Sequence, residues 1–364
     1  MEKGHRLFQV LAIAVASALS LSAVSCNIGT ISNPVPVEAG DPFLLCDGNC
    51  YYLYGTTGVC GFKVFKSEDL RDWTDCGLAL DGRQELSWAD NCYWAPEVYA
   101  RNGKYYMFYS ADWLDNPSGE EENFRIGVAV SDSPEGPFIN MKNGPIFDPG
   151  YPIIDADVFF DDETGRSYLY FSRCCYKHPV ESELSAWARE NGMYDEIEES
   201  WVYGVELSPD FSSVIGEPVL LLNPPYAKDD PQTEWESRSV TCGEVNRRWT
   251  EGSFTFKEGG RYYMMYSANF FGGANYAVGY AVSDNPLGPY MKNPSNPVLQ
   301  KNGEVTGTGH CMAVRLPSGR MACVYHGRTE KTGDARVVFI DRMEIKNGAL
   351  VVKGPTLGKK FSLR

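Results

Sequence analysis

The chain has 364 residues, 43% hydrophobic and 22% charged, which are globular proportions that exclude bulk disorder. Lys and Arg total 33 against 48 Asp and Glu, a formal charge of −15 that excludes a general nucleic-acid binder, because phosphate surfaces need a basic footprint. The length admits several ordinary domains or one repeat domain, and 22 Tyr with 36 Gly and 22 Pro favour many short strands and turns over long helices.

At the N-terminus, Lys3 and Arg6 precede an apolar run from Leu7 to Val24 that closes on small residues, Ser22-Ala23-Val24-Ser25. This reads as a signal peptide over 1–25. Cys26 follows directly, as in a bacterial lipobox, although Ala23 stands where Leu is usual. Lipidation of Cys26, with membrane attachment through it, and simple cleavage both remain open. The expected location is exported: periplasmic, or anchored at the outer membrane or cell surface of a bacterium. The remaining cysteines show no CxxC pair. Cys46 and Cys50 flank Asp47-Gly48-Asn49 and could face each other across a hairpin, but most of the cysteines are expected to be small buried hydrophobes.

From residue 33 to 358 one phrase recurs: aromatics, an apolar residue, then Tyr or Phe before a small residue. It reads Tyr51-Tyr52-Leu53-Tyr54-Gly55, Tyr105-Tyr106-Met107-Phe108-Tyr109-Ser110, Tyr168-Leu169-Tyr170-Phe171-Ser172 and Tyr262-Tyr263-Met264-Met265-Tyr266-Ser267. A weaker fifth copy is Met321-Ala322-Cys323-Val324-Tyr325-His326. A turn rich in Gly and polar residues precedes each copy, an apolar strand precedes each turn, and one or two further strands follow. Five antiparallel units of about 60 residues predict an all-β fold, a single five-bladed β-propeller with four-stranded blades over 33–358. Most of the tyrosines are then expected to pack between blades. Pro179–Ser200 and Pro224–Trp249 are insertions, the first partly helical, and such insertions often map to the binding face.

In a propeller the first strand of each blade lines the central channel. Asp41, Glu97, Asp155, Glu251 and His310 stand at the starts of the five first strands, and equivalent positions would bring them to one funnel. Convergent carboxylates suit glycoside hydrolysis, where one carboxyl is protonated to donate and another ionised to activate water. Crowding pushes their pKa values apart. Trp88, Trp94, Trp113, Phe270 and Phe271 lie at loop ends near the funnel and could stack on sugar rings.

These residues sit in motifs that together resemble glycoside hydrolase family 43. They are Gly40-Asp41-Pro42, Ser67-Glu68-Asp69-Leu70-Arg71-Asp72-Trp73, Trp94-Ala95-Pro96-Glu97, Ile154-Asp155-Ala156-Asp157-Val158-Phe159, Glu251-Gly252 and Gly309-His310. Ser131-Asp132-Ser133-Pro134 and Ser283-Asp284-Asn285-Pro286 resemble the family's blade-end turns. The resemblance implies an inverting hydrolase that removes terminal β-D-xylosyl or α-L-arabinofuranosyl residues from plant cell-wall oligosaccharides or polysaccharides, with no required cofactor. It implies Asp41 as general base, Glu251 as general acid and Asp155 as the group that tunes and orients the acid. Asp157 shares a strand face with Asp155 and competes for that role, but Asp155 holds the motif's place. Glu97 reads better as an inter-blade anchor than as a fourth acid. Matching histidines in relatives bind a channel calcium or only a water, so His310 is a possible calcium ligand. Arg328 looks like the arginine that contacts the acids or the sugar in relatives. Ser253 and Thr308 replace residues usual in the family. The competing readings are an endo-arabinanase or galactan-directed hydrolase of the same fold, and a non-catalytic carbohydrate-binding propeller. A sugar phosphorylase would need a phosphate pocket with several basic residues.

Overall fold

The structure, a computed structural model, describes residues 30–363 except 118, 120 and 121, and leaves the side chains of 175–178 undescribed. The expected signal peptide over 1–25 and Cys26 lie outside the described residues.

The described chain is predominantly β, organised as five antiparallel units in sequence order. Unit 1 runs through Gly40–Asp47, Cys50–Thr56, Gly61–Ser67 and Thr74–Asp81. Unit 2 holds Ala89–Arg101, Lys104–Trp113, Phe124–Ser131 and Ile139–Asn140. Unit 3 holds Ile154–Asp161, Arg166–Pro179, Glu198–Leu207 and Val214–Leu222. Unit 4 holds Arg247–Glu258, Arg261–Ala268, Ala277–Ser283 and Met291–Lys292. Unit 5 holds Val305–Arg315, Met321–Thr329, Val337–Lys346 and Ala349–Val352. Outside them, Thr30–Ile31 pairs with Phe361–Ser362 and ties the two ends of the described chain together. First strands of successive units pack on one another, and that of unit 5 packs back on that of unit 1.

The recurrent aromatic phrase is the second strand of every unit. Tyr54, Tyr109, Tyr170, Tyr266 and Tyr325 are fully buried, as expected of residues packed between units. Their hydroxyls find fixed acceptors: Tyr170 donates to the Pro286 carbonyl at 2.9 Å and Tyr325 to Asp341 at 2.6 Å. A buried phenol needs such a partner, so the repeat carries both apolar area and an address.

Every first strand is interrupted at the same place. The register with the second strand slips between Gly40 and Phe43, Trp94 and Glu97, Ile154 and Asp157, Glu251 and Phe254, and Gly309 and Met312. Each slip is a bulge, and its residue has left-handed backbone: Asp41 (φ 51°), Ala95 (47°), Asp155 (60°), Gly252 (55°) and His310 (46°). For residues with a Cβ this conformation costs roughly 1–2 kcal/mol each. A hydrogen bond donated to the neighbouring unit holds each one. Ala95 N–H donates to Thr56 Oγ1 at 2.9 Å, Asp155 N–H to Ser110 Oγ at 2.9 Å and His310 N–H to Ser267 Oγ at 2.7 Å. Gly252 N–H is shared between Asp155 Oδ2 at 3.1 Å and Ser172 Oγ at 3.3 Å. Asp41 N–H donates to His326 Nδ1 at 3.1 Å, which joins unit 5 to unit 1.

This register corrects one expectation. The residue equivalent to Asp41, Asp155 and His310 is Ala95 in unit 2 and Gly252 in unit 4. Glu251 stands one residue before the bulge, whereas Glu97 and Asp157 stand two residues beyond it.

The insertions fold together. Ser182 caps a helix over Glu183–Glu190 with a capping box, and Asp230 with Pro231 starts Pro231–Glu236. Leu184, Ala188, Ile197 and Val240 make their shared core. Trp235 is buried on Gly279, where a Cβ would lie 2.6 Å from the indole. Arg248 and Glu199, both wholly buried, pair at 2.7 Å where the insertions join units 3 and 4. Cys46 and Cys50 are not bonded to each other; Cys50 lies opposite Asp47 and Cys46 opposite Tyr51. Of the nine described cysteines only Cys174, Cys311 and Cys323 are fully buried, fewer than expected.

Removing one member of the buried pair leaves an uncompensated charge. Arg248→Ala should lower unfolding free energy by about 3–5 kcal/mol, measured by urea denaturation. A loss below about 1 kcal/mol would show that the pair is not the joint it looks like.

Candidate active site

A cavity of about 150 Å³ opens where the bulges meet. Its wall includes Asp41, Asp155, Glu251 and His310 from the first strands, joined by Trp94, Phe270 and Phe271. Six of these seven are side chains that sequence reasoning assigned to catalysis or sugar binding, and the seventh is the expected calcium ligand.

Other expectations are corrected. Trp88 is buried, donates Nε1–H to Tyr109 Oη at 2.8 Å and packs on Gly127, so it belongs to the core. Trp113 is half-buried under the Arg125 guanidinium, 5.6 Å from its ring, and does not line the cavity. Arg328 donates to the carbonyls of Phe271 at 2.9 Å and Asp334 at 3.0 Å. It braces the loops that form the wall, and the arginine on the acids is Arg336 instead. Arg336 Nη1 lies 2.8 Å from Asp41 Oδ1 and the guanidinium also faces the Phe271 ring. The sequence gives little sign of it, because Arg336 precedes a third strand rather than a first. Trp249, Arg247 and Tyr276 also line the cavity and were missed. Trp249 was within reach of strand alternation, two residues before Glu251.

The carboxyls sit in opposed environments. Burial alone would raise the Asp41 carboxyl. The Arg336 guanidinium, then His310 and His326, outweigh burial and hold it well below the usual carboxylate range. Glu251, unlike Asp41, feels Arg336 only weakly. Burial, with the Asp155 charge added, raises it well above its ordinary value, against one hydrogen bond from Tyr276 Oη at 2.9 Å. Asp155 is raised by burial and by Asp41, against His310 and hydrogen bonds from Gly252 N–H and Ser172. Glu97 and Asp157 are both raised well above ordinary values, Glu97 by burial and Asp157, and Asp157 by burial. Tyr99 donates to Glu97 and receives Val158 N–H at 3.0 Å, which makes Glu97 an anchor between units 2 and 3.

His310 Nδ1 lies 3.3 Å from Asp41 Oδ1. Calcium takes six to eight oxygen ligands, and one imidazole is not such a set. No three His, Cys, Asp or Glu side chains among the described residues converge to hold a metal. A calcium at His310 would therefore take its remaining ligands from water.

The family model for glycosyl hydrolases family 43 matches residues 31–350. The chain belongs to glycoside hydrolase family 43. It is 31% identical over 257 residues to a xylosidase/arabinosidase of Bacteroides ovatus, covering 70% of this chain and 67% of that one. It is 28% identical over 349 residues to a β-D-galactofuranosidase of Aspergillus niger, covering 89% and 85%. Among solved structures, a thermostable family-43 glycoside hydrolase aligns with a TM-score of 0.78 at 37% identity, covering 92% of this chain and 99% of that one. Membership makes this chain a glycoside hydrolase of plant polysaccharides acting on O-glycosyl bonds.

Arg336 is the largest influence lowering the Asp41 carboxyl. In Arg336→Leu that carboxyl should titrate at higher pH, read by carbon NMR of the labelled side chain. In the wild type the ionised, lowered Asp41 stabilises the fold above the ordinary Asp value, and this contribution is lost as pH falls through its folded value. The stability gap between wild type and Arg336→Leu should therefore narrow on acidification.

Proposed function

We propose that this chain is a five-bladed β-propeller that hydrolyses terminal β-D-xylosyl or α-L-arabinofuranosyl residues with inversion. The observation that carries the reading is one ring-sized cavity holding a carboxyl kept ionised, Asp41, and a carboxyl kept protonated, Glu251. Five units joined by one repeated seam, the last seam linking unit 5 to unit 1, support the propeller.

Glu251 acts as general acid and gives its proton to the glycosidic oxygen as the bond to the anomeric carbon breaks. Asp41 acts as general base and takes a proton from the water whose oxygen forms the new bond on the opposite face. Arg336 keeps Asp41 ionised and so ready to accept. Asp155 acts through the acid: its Oδ2 accepts Gly252 N–H, which fixes the peptide next to Glu251, and its charge favours protonated Glu251. No step calls on a metal.

Several observations favour exo action on a single residue. A cavity of about 150 Å³ is of a size that holds one six-membered ring. Trp94, Trp249 and Phe270 offer apolar faces to a sugar, and Phe271, 44% exposed at the rim, offers one to the next residue. Ser239 of the second insertion receives Phe270 N–H at 3.0 Å, so the insertion holds that wall. Removal of galactofuranosyl groups is the second reading, because the Aspergillus relative that matches most of the chain bears that activity. The same reading places the enzyme outside the cytoplasm, on the strength of the leader over 1–25.

The test uses purified enzyme with 4-nitrophenyl β-D-xyloside, α-L-arabinofuranoside and β-D-galactofuranoside. The pentosides should be cleaved with inverted product anomers by NMR. Asp41→Ala should lower kcat by about 10²–10⁴-fold on these glycosides, and Glu251→Ala should do so on xylobiose or a methyl glycoside, whose poor leaving group needs the proton. Unchanged activity of Glu251→Ala on the poor leaving group would overturn the acid, product of retained configuration would overturn the mechanism, and no turnover of any glycoside would favour a binding propeller.

A further inference from the structure

Four of the five seams use a hydroxyl to hold the bulge N–H, from Thr56, Ser110, Ser172 and Ser267. The fifth uses an imidazole, and it lies under Asp41. His326 is wholly buried at the end of the aromatic phrase of unit 5, in the place of those serines. Its Nδ1 accepts Asp41 N–H at 3.1 Å and lies 3.5 Å from Asp41 Oδ1. An Nδ1 that accepts leaves the ring proton on Nε2. Nε2 has no hydrogen-bond partner among the described residues.

A serine would satisfy the N–H equally well, so the ring must answer to something else. The imidazole stacks on Tyr276, with centroids 5.6 Å apart and planes 16° apart. Tyr276 in turn donates its hydroxyl to Glu251 Oε1 at 2.9 Å. Tyr276 also lies on Gly309, the cross-strand partner of His326, where a Cβ would fall 2.1 Å from the ring. Tyr276 thus packs on a surface that only the glycine leaves open beside the imidazole. One side chain touches the backbone of Asp41 and the ring that holds Glu251.

We infer that His326 is a positioning residue that fixes the base and the acid relative to each other, by its Nδ1 on Asp41 N–H and its ring on Tyr276. This rests on the reading of Asp41 as base and Glu251 as acid. The alternative role, a proton carrier, fits the site poorly. A proton on Nδ1 would break the bond to Asp41 N–H and release a φ of 51°. The groups facing the ring are Asp41, His310, Arg328, Arg336 and Tyr276. Burial first, then Arg336, hold the imidazole neutral, with Asp41 opposing them.

The two contacts can be cut separately. His326→Ser places in this seam the hydroxyl that the other four use, so it keeps the acceptor and loses the stack. His326→Phe keeps a ring on Tyr276 and loses the acceptor. Each is assayed on xylosides with a good and a poor leaving group, with melting temperature recorded. A good leaving group departs without a proton, so it reports the base, whereas a poor one needs the acid. His326→Phe should lose about 100-fold in kcat on both substrates with KM within about 3-fold, the scale of a 1 Å misplacement. His326→Ser should lose kcat on the poor leaving group only. Equal losses in both variants on both substrates, or no loss in either, would overturn the proposal. Should His326→Phe fail to fold, His326→Ser decides alone: a loss on both substrates, or on neither, overturns it. Asp41→Ala and Glu251→Ala run beside them. Retained activity in those two would sink the base and acid assignments independently of His326.

Discussion

The molecule turns on a hydrogen bond repeated five times, from the N–H of a left-handed bulge residue to a side chain of the neighbouring unit. A buried N–H left without a partner costs about 1–3 kcal/mol, and left-handed backbone on a non-glycine residue costs a similar amount. Each seam therefore sets a cost of strain against a bond that only the neighbouring unit can supply. No unit can make the bond alone, which makes the join between units cooperative. The bulge also breaks the register of each first strand, and Asp41, Asp155 and His310 are three of the bulge residues. The residues that form the seams are thus residues of the site.

Electrostatics then separates groups that geometry has gathered. Burial pushes Asp41, Asp155 and Glu251 upward alike, because desolvation disfavours every carboxylate. Only Asp41 has a guanidinium at 2.8 Å, and it is the only one of the three that ends low. Once Asp41 is ionised, its charge raises both Asp155 and Glu251. One arginine thereby separates Asp41, held low, from its two raised neighbours. Gly40 is part of this arrangement, because a Cβ there would lie 2.0 Å from Arg336 Cζ.

Much of this could be read from the sequence. The aromatic phrase located all five second strands, since a half-buried strand repeats its packing residues wherever the same unit repeats. The family motifs marked Asp41, Asp155 and Glu251, and these do meet in the cavity. The misplaced assignments share a physical cause, because sequence offset does not reveal a bulge. Aligning the units on their first carboxylates put Glu97 and Glu251 level with Asp41, when the bulges make the equivalent residues Ala95, two positions earlier, and Gly252, one later. Arg336 and Tyr276 were missed for another reason. They enter from the starts of third strands, and nothing local in Asp334-Ala335-Arg336 or Asn275-Tyr276 marks a residue that reaches a carboxyl on another strand. Trp88 and Trp113 show the converse, since loop-end position does not distinguish an indole facing a cavity from one closing a core.

Function and stability meet at the same residues, and their demands conflict. Asp, Asn and His enter left-handed backbone more readily than other side chains, which suits Asp41, Asp155 and His310 to bulges. Glycine would relieve the strain at each, as Gly252 does in unit 4. It would also remove the carboxyl or imidazole from the cavity. Glu251 avoids the conflict by standing one residue before its bulge, where its backbone is unstrained and the following glycine takes the turn. Glu251 therefore owes its position to neighbours, to Asp155 on the Gly252 amide and to Tyr276 on its carboxyl, while Asp41 owes its position to its own strained backbone. The seam beneath Asp41 differs from the rest in the same sense. A hydroxyl suffices to hold strained backbone, but the imidazole there also stacks on the tyrosine that donates to Glu251.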